Sequence, residues 1–385
     1  MEELQLVGYG ASTTGGAGGT IIEVNNLNDS GAGSLRYAVQ QSGARTALIS
    51  VTGECALSSR ITADNGDLSI ICVSDGFTLT GKGMTILADN VIVRNIRVRA
   101  GAQYPDDGAN DTLQVFGNNI IIDHCCLMFS TDETLDVGAT RDGDPMGRNV
   151  TIQWCIIAWA LNHSTHPEIN HSKLVFFETS PKATIHHCLI AHGFDRPPGI
   201  FGGRVEVVNN VIYDIYDAMF VNPAHSFATV DFIGNYTLRG ADTRNIAHIY
   251  GVRVLMDTNA SVYVHGNIDL ERTSDTMDDW ASVPAGHEQS LLTRTRPADN
   301  SGIPYTTAAQ AFMDVIANVG TFNRDVLEQM VIRDTANGKV GNLLGRIIDA
   351  PSDISFPPVR YMGGGSGTGV PSRSSVFSNR GLNTP

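Results

Sequence analysis

Three aspartates in two short segments have the residue type and spacing that a calcium site requires. Asp132 and Asp136 lie in STDETLDV, and Asp111 lies upstream in ANDTLQV. Calcium takes several oxygen ligands, and carboxylates supply most of the balancing negative charge. Ordinary loop acids have the same composition, so these residues can bind an ion only if the fold brings the two segments together.

Histidine offers a second kind of chemistry, metal binding or general-base catalysis, at His124, His186 and His187. We place these residues within strands beside the corners of the repeat described next, where adjacent residues face opposite ways. Under this interpretation His124 is mostly buried and hydrogen-bonded. Metal binding by these histidines is not expected.

A repeat of short apolar strands runs through the middle of the chain. Each copy begins with an alternating strand, places Asn or Cys at a corner and resumes with a second apolar strand. The copies are VIVRNIRV (91–98), IIIDHCCL (120–127), VTIQWCII (150–157), ATIHHCLI (183–190), VEVVNNVI (205–212), ATVDFIGNYT (228–237) and, more loosely, SVYVHGNIDL (261–270). Such a repeat is typical of one coil of a β-solenoid. Residues one coil apart, such as Asp111 and Asp132, then become neighbours on one face.

The corner residues recur every 22 to 33 positions, at Asn95, Cys125, Cys155, Cys188, Asn210, Asn235 and Asn267. Stacked coils align equivalent corners, so we expect a ladder of Asn side-chain hydrogen bonds and a column of buried thiols. Among the six cysteines, only Cys55 and Cys72 could form a disulfide. The alternative fold is a β-sandwich, in which the repeating corner would be accidental.

The ends of the chain carry helical patterns that suit the caps of a solenoid. We predict one all-β domain over residues 1–385, with a cap over about 1–45, coils over 46–275, an extension over 276–361 and a flexible tail over 362–385. A short helix is expected within 29–43. Two more are expected within 306–320 and 324–338, ending at Gly320 and Gly338.

The charge and hydropathy of the chain exclude several functions. The formal net charge is −14 and no basic stripe is present, so a nucleic-acid partner is not expected. No apolar run reaches the length of a transmembrane helix, and no membrane partner is expected. The start, MEELQLVGYG, is not a signal peptide. We expect a secreted protein whose signal has been removed, or one that leaves its cell another way, for example in a phage particle.

Seven segments in a fixed order resemble the pectate lyases of polysaccharide lyase family 1, over roughly residues 6 to 350. They are DSGAGSLRYAV (29–39), NVIVRNIRVRAG (90–101), NNIIIDHCCLMFSTDETLDV (118–137), NVTIQWCII (149–157), HSKLVFF (171–177), ATIHHCLIAHGFDRPPG (183–199) and VVNNVIYD (207–214). The similarity is greatest to a bacterial branch with long loops and a helical carboxyl-terminal segment. The family fold is a right-handed, single-stranded parallel β-helix, in agreement with the repeat.

The resemblance implies cleavage of polygalacturonate by β-elimination with bound Ca²⁺, which makes the C5 proton more acidic. Asp111, Asp132 and Asp136 match the family's calcium-binding acids. Arg196 matches the catalytic base, an arginine that must give up a proton it normally keeps. Lys173 matches a lysine that contacts the substrate carboxylate.

Two departures affect the binding of the substrate. A further acid of some family members falls near Ala109 and is missing, with Glu133 as a candidate substitute. Many members carry one or two arginines shortly after the base, where this chain has Gly199 and Phe201. Arg204 could contact substrate if the loop is re-routed, although strand alternation can point it elsewhere.

Two other functions remain open at this point. A glycoside hydrolase would need paired carboxylates acting as acid and base, but its Gly-His-Gly and Arg-Ile-Lys motifs are absent. The second of these functions is that of a carbohydrate-binding surface or phage-tail protein with a weak or inactive site. We predict a monomeric lyase whose partner is an acidic polysaccharide.

Overall fold

The computed structural model describes residues 3–101, 110–138, 147–178, 181–223, 227–243, 251–254, 259–283, 291–339, 341 and 347–354. Within these residues the chain forms three parallel sheets, and each coil contributes one strand to each sheet in turn. Strands are numbered in chain order. The predicted tail from residue 362 lies outside the described residues.

Each sheet is a ladder of strands from successive coils. Sheet 1 contains β1 Thr20–Val24, β2 Arg45–Ile49, β5 Leu68–Cys72, β8 Val91–Arg94, β11 Ile120–Asp123, β14 Arg148–Gln153, β17 Lys182–His186, β20 Gly203–Val208, β23 Ala228–Ile233, β26 Ala260–His265 and β27 Leu292–Thr293. Sheet 2 contains β3 Gly53–Ala56, β6 Phe77–Thr80, β9 Arg97–Arg99, β12 Cys126–Met128, β15 Ile156–Ala158, β18 Leu189–Gly193, β21 Val211–Ile215 and β24 Tyr236–Leu238. Sheet 3 contains β4 Ile61–Ala63, β7 Met84–Ile86, β10 Leu113–Val115, β13 Glu133–Val137, β16 Lys173–Phe177, β19 Gly199–Ile200, β22 Met219–Val221 and β25 Val252–Val254.

The core is a stack of aliphatic side chains inside the coils. Ile122 on β11 pairs in register with Val93 on one side and Ile152 on the other, and all three are buried. Alternate positions of each repeat point inward, so each coil adds a layer of Val, Ile or Leu. This architecture is a parallel β-helix, which confirms the predicted fold class.

The corners between sheets 1 and 2 form the expected ladder. The Asn210 N–H and the Asn235 N–H each donate to the side-chain oxygen of the next corner residue, Asn235 and Asn267 respectively, at 2.9 Å. In the cysteine part of the column, the Cys155 N–H donates to the Cys188 Sγ at 3.4 Å. The predicted column of buried thiols is therefore confirmed.

The remaining cysteine and histidine expectations have mixed outcomes. Cys55 and Cys72 are buried and free, so they do not form a disulfide. His186 ends β17, but His124 and His187 lie in the turns, where their φ angles are 48° and 51°. Their placement within strands was therefore wrong, because these two turns have a left-handed residue just before the corner. Asn95, which was predicted to be a corner, was also misplaced: Arg94 pairs in register with Asp123, so Asn95 is equivalent to His124 and has the same left-handed backbone, with a φ angle of 63°.

These turn residues also form an aromatic column on the outside of the corners. His124, which is buried as predicted, packs on Phe322 at 4.6 Å between ring centroids. His187 packs on Trp154 at 4.4 Å. The rings of this column pack on one another, so these side chains have a structural role.

The helices cap and flank the solenoid. They are α1 Leu35–Gln40, α2 Ala308–Asn318 and α3 Val326–Lys339, with short 3₁₀ segments at Tyr9–Ser12, Asp279–Ser282 and Pro351–Asp353. The three predicted helices are confirmed, but Gly338 lies inside α3 and does not end it. A Cβ at Gly338 would lie 2.4 Å from the Tyr213 ring, so glycine is required for close packing on sheet 2. No described helix is long and apolar enough to cross a membrane.

Helix α3 is attached to sheet 2 by buried ion pairs. The Arg97 Nε of β9 lies 2.6 Å from the Glu328 Oε2 of α3, and Glu328 is fully buried. The Arg99 Nη2 lies 2.6 Å from the Asp325 Oδ2 just before the helix. The carboxyl-terminal helix is therefore an integral part of the solenoid wall.

Candidate active site

The predicted acids meet on the outer face of sheet 3. In its register Asp136 of β13 lies between Gln114 of β10 and Phe176 of β16, and Glu133 pairs with Lys173. Parallel strands lie about 4.8 Å apart, so residues from consecutive coils become direct neighbours.

Asp111, Asp132 and Glu133 form a compact acid cluster. One carboxylate oxygen from each lies within 4.8 Å of the others. The Glu133 N–H donates to the Asp111 Oδ1 at 2.9 Å, and the Gln114 Nε2 donates to the Asp111 Oδ2 at 2.6 Å. Asp136 is buried on the same face, and its Oδ1 has no hydrogen-bond partner within the described residues. The structure therefore gathers the predicted acids and adds Glu133 to them.

Burial and mutual repulsion make several of these charges unfavourable. Burial and the charge of Asp132 raise the pKa of Asp111 to about 6. Burial, with the charge of Asp111, raises the pKa of Asp136 well above its usual range. Burial also raises the pKa of Glu133 well above its usual range, in spite of its contact with Arg196. A bound cation would relieve all three effects.

Asp132 differs because it faces cations. Burial acts to raise the pKa of Asp132, but the hydrogen bond from His171 and the nearby charge of Lys173 lower it below its usual range. The Lys173 Nζ lies 4.0 Å from the Asp132 Oδ1 and 3.9 Å from the Glu133 Oε1. Lys173 therefore lies at the edge of the acid cluster; its contact with substrate stays a prediction.

Arg196 reaches the same cluster from the next coil. Its Nη1 forms an ion pair with the Glu133 Oε1, and its guanidinium lies 4.0 Å over the Phe176 ring. The backbone is fixed by β16, because the Val175 N–H donates to the Arg196 carbonyl at 2.7 Å. Its Nε is buried without a hydrogen-bond partner.

Two histidines that the sequence analysis missed complete this face. The His171 Nε2 lies 2.6 Å from the Asp132 Oδ1, and its Nδ1 lies 3.2 Å from the Glu168 Oε2. The His166 ring stacks on His171 with 3.4 Å between centroids. The available signal was the segment HSTHPEINHSK, whose three histidines directly precede Lys173.

Arg204 is not part of this cluster. It lies on β20 in sheet 1, where it pairs in register with Lys182 and Thr229. Its Nη2 lies 2.9 Å from the Asp231 Oδ2, and its Nε lies 3.1 Å from the Asp299 Oδ1. The structure thus engages Arg204 in ion pairs on a different sheet from the acids.

The residues present fit a calcium ion. Calcium prefers oxygen ligands and several carboxylates. The carboxylates of Asp111, Asp132 and Glu133 lie together here, and Asp136 is buried on the same face. The Asp136 Oδ1 has no hydrogen-bond partner among the described residues, and the pKa values of Asp111 and Glu133 are raised. A bound cation would therefore stabilise the ionised form of these carboxylates beyond what Lys173 and Arg196 do.

Comparison with known proteins supports the family assignment. No protein-family model matches the chain. The chain is 30% identical over 375 residues to the protein named "Probable pectate lyase C" from Aspergillus terreus, covering 93% of this chain and 84% of the relative. It is 33% identical over 267 residues to the namesake from Aspergillus oryzae, which covers 68% of this chain and 58% of that relative. The chain thus spans less than two thirds of the latter protein.

Solved structures share the fold. A pectate lyase from Bacillus sp. N165, crystallised with trigalacturonate, superposes with a TM-score of 0.56 at 17% identity, covering 83% of this chain and 99% of that one. A thermostable pectate lyase superposes with the same TM-score and identity, covering 84% and 99%. Together with the match over almost the whole chain to the Aspergillus terreus relative, these findings show that the chain belongs to the pectate lyase family.

Proposed function

We propose that this protein cleaves polygalacturonate, or a related polyuronate, by calcium-assisted β-elimination. The observation that carries the proposal is the outer face of sheet 3, where the acid cluster adjoins Lys173 and Arg196. Such a face can hold a divalent cation and an anionic substrate side by side. It also offers the Arg196 guanidine group, which would accept a proton only in its neutral form.

Asp111, Asp132 and Asp136 would hold the calcium ion, with Glu133 as a further ligand in place of the acid missing near Ala109. When bound, the ion would neutralise the substrate carboxylate and make the adjacent C5 proton more acidic. His171 fixes the orientation of the Asp132 carboxylate through its 2.6 Å contact. This is the orienting role that outer residues commonly have around metal ligands.

Lys173 would bind the substrate carboxylate, and Arg196 in its neutral form would accept the C5 proton. The electrons of the C5–H bond form the C4–C5 double bond, the bond between C4 and the glycosidic oxygen breaks, and that oxygen takes a proton from water. Glu133 is shared between Arg196 and the acid cluster. The ionisation and contacts of Glu133 therefore control how tightly the guanidinium is held.

The test is digestion of polygalacturonate with calcium and then with excess chelator. We expect 4,5-unsaturated ends with strong ultraviolet absorbance in calcium and none in chelator. Reducing ends without that absorbance would instead indicate hydrolysis.

A carbohydrate-binding β-helix with weak or no lyase activity is the second candidate. It is favoured by the Glu133–Arg196 ion pair, which opposes base catalysis, and by Gly199 and Phe201 at positions where the family resemblance implies arginines. Binding of oligogalacturonate without any unsaturated product would identify this function.

The setting of the activity is also a proposal. A polymeric substrate requires a secreted protein that acts outside the cell. The acid cluster, Lys173 and Arg196 all belong to one chain, which is consistent with a monomer. The bacterial branch of the family stays a prediction, since the relatives compared above by sequence are fungal.

A further inference from the structure

We infer that Phe176, Phe201 and Phe220 form a subsite for a methyl-esterified uronate next to the reacting unit. We call these three residues the aromatic strip. The inference rests on the proposed function, because it assumes that a uronate chain lies along sheet 3. It concerns a different part of the groove from the acid cluster.

The aromatic strip continues the row of residues that begins at the acids. Phe176 and Phe201 are partly exposed and could contact a ligand, whereas Phe220 is only 7% exposed and supports them from below. In the register of sheet 3, Asp136 is followed by Phe176, then Gly199, then Phe220. Phe201 stands edge-on to Phe176, with 4.8 Å between ring centroids, and its ring is 5.8 Å from that of Phe220. A chain lying across successive coils would therefore pass from carboxylates onto aromatic rings.

Gly199 allows this strip to be continuous. A Cβ at this position would lie 2.8 Å from the Phe220 Cζ and 3.0 Å from the Arg196 Cγ. Glycine thus lets the Phe220 ring and the Arg196 side chain close over the strand from opposite sides. The two departures from the family pattern, Gly199 and Phe201, therefore act together.

The guanidinium groups beside the aromatic strip are already paired with carboxylates. Arg196 lies over Phe176 and 5.5 Å from the Phe201 centroid, but it contacts Glu133. Arg253, next to Phe220 in the register, lies 2.6 Å from both carboxylate oxygens of Asp217. With respect to these two guanidinium groups, a free uronate carboxylate placed here would lose water without gaining an uncommitted cation in the part of the chain that the structure describes.

A methyl ester suits such a surface better. It carries no charge, so it avoids the penalty for burying an unpaired carboxylate. Its methyl group also adds apolar contact with the rings. We therefore expect an ester to be preferred over the free acid at this subsite by roughly tenfold or more in affinity.

The experiment measures binding of size-matched oligogalacturonates to the whole protein in chelator, where turnover is not expected. One ligand is unesterified, and the other carries a methyl ester only at the unit next to the one that Lys173 would hold. Wild type should bind the esterified ligand about tenfold more tightly. Phe201→Arg adds a cation to the aromatic strip and should reverse this preference. Phe227→Arg makes the same change at a residue that is 58% exposed, just before β23 of sheet 1, and should leave it unchanged.

Equal or tighter binding of the unesterified ligand by wild type would overturn the subsite, as would equal effects of Phe201→Arg and Phe227→Arg. If Phe201→Arg does not fold, Phe201→Leu, which keeps an apolar side chain, should reduce the preference without reversing it. Unchanged preference in Phe201→Leu would likewise overturn the subsite.

A parallel assay with calcium separates this inference from the proposed function. It compares the formation of unsaturated ends on polygalacturonate and on partly esterified pectin. An ester preference in binding, without unsaturated product from either polymer, would overturn the lyase function and leave the subsite supported. Product formation without any ester preference would overturn only the subsite.

Discussion

Replacing Asp111 by Asn should stabilise the calcium-free protein at neutral pH and weaken calcium binding. Burial and the charge of Asp132 raise the pKa of Asp111 from 3.8 to about 6. The folded protein therefore holds this proton more tightly than the unfolded chain does. The ionisation of Asp111 therefore lowers the free energy of unfolding as pH rises from about 4 to about 6. Above pH 6 the whole of this destabilisation is present.

The size of the effect follows from the shift and the local hydrogen bonds. A change from 3.8 to about 6 corresponds to roughly 3 kcal/mol. The Asn side chain can still accept from the Glu133 N–H, but it loses one bond from the Gln114 Nε2, worth about 1 kcal/mol. We therefore expect Asp111→Asn to gain about 2 kcal/mol at pH 8, and to lose this advantage near pH 4.

The assay is urea unfolding in chelator at both pH values, followed by calcium titration calorimetry. Loss of one charged ligand should weaken calcium binding by at least tenfold. Asp64→Asn, at an exposed acid outside the cluster, is the matched control and should change neither quantity. Destabilisation of Asp111→Asn at pH 8 in chelator, or unaltered calcium affinity, would refute the reasoning and mark Asp111 as a structural acid.

Further variants test the other groups of the site. Arg196→Lys keeps the charge but moves the proton acceptor, so turnover should fall about 10² to 10⁴-fold while oligogalacturonate affinity changes little; near wild-type turnover would exclude the proposed base. Lys173→Ala should both weaken substrate binding and slow turnover, and a pure rate effect would contradict its assignment to the carboxylate. His171→Ala should weaken calcium binding by freeing Asp132, with recovery in His171→Gln, and calorimetry showing wild-type affinity in both would remove its orienting role. Asp132→Ala should raise the calcium concentration needed for activity, and an unchanged requirement would indicate a structural acid.

The solenoid could be predicted from the sequence because each coil repeats the same pattern of strand, Asn or Cys corner and second strand. The corner residues from Cys125 to Asn267 recur with their flanking strands, and the ladder that they form needs no long-range information beyond stacking. Gly338 shows where this reasoning fails. Glycine usually ends a helix, but here it lies inside α3 because the Tyr213 ring packs against it.

The site was predictable to the extent that it follows the register of the coils. Asp111, Asp132 and Asp136 fall on neighbouring strands or at their starts, so the repeat itself brings them together. His171 could not be placed this way, because it lies in a long connection whose path depends on contacts with Asp132 and Glu168. Arg204 was a candidate for substrate contact because it follows Gly199 and Phe201 closely in the sequence. Its strand, however, belongs to sheet 1.

The attachment of α3 to β9 limits how far the chain can be shortened. A fragment that ended before Asp325, the residue that precedes α3, would retain Arg97 and Arg99 in sheet 2 but lose Glu328 and Asp325, their ionic partners. Loss of one partner from a buried ion pair typically costs about 3 to 5 kcal/mol, and here two pairs would be broken in one place. That loss is comparable to the whole stability of an ordinary domain. The coils before α3 are therefore not expected to form an independently folding lyase.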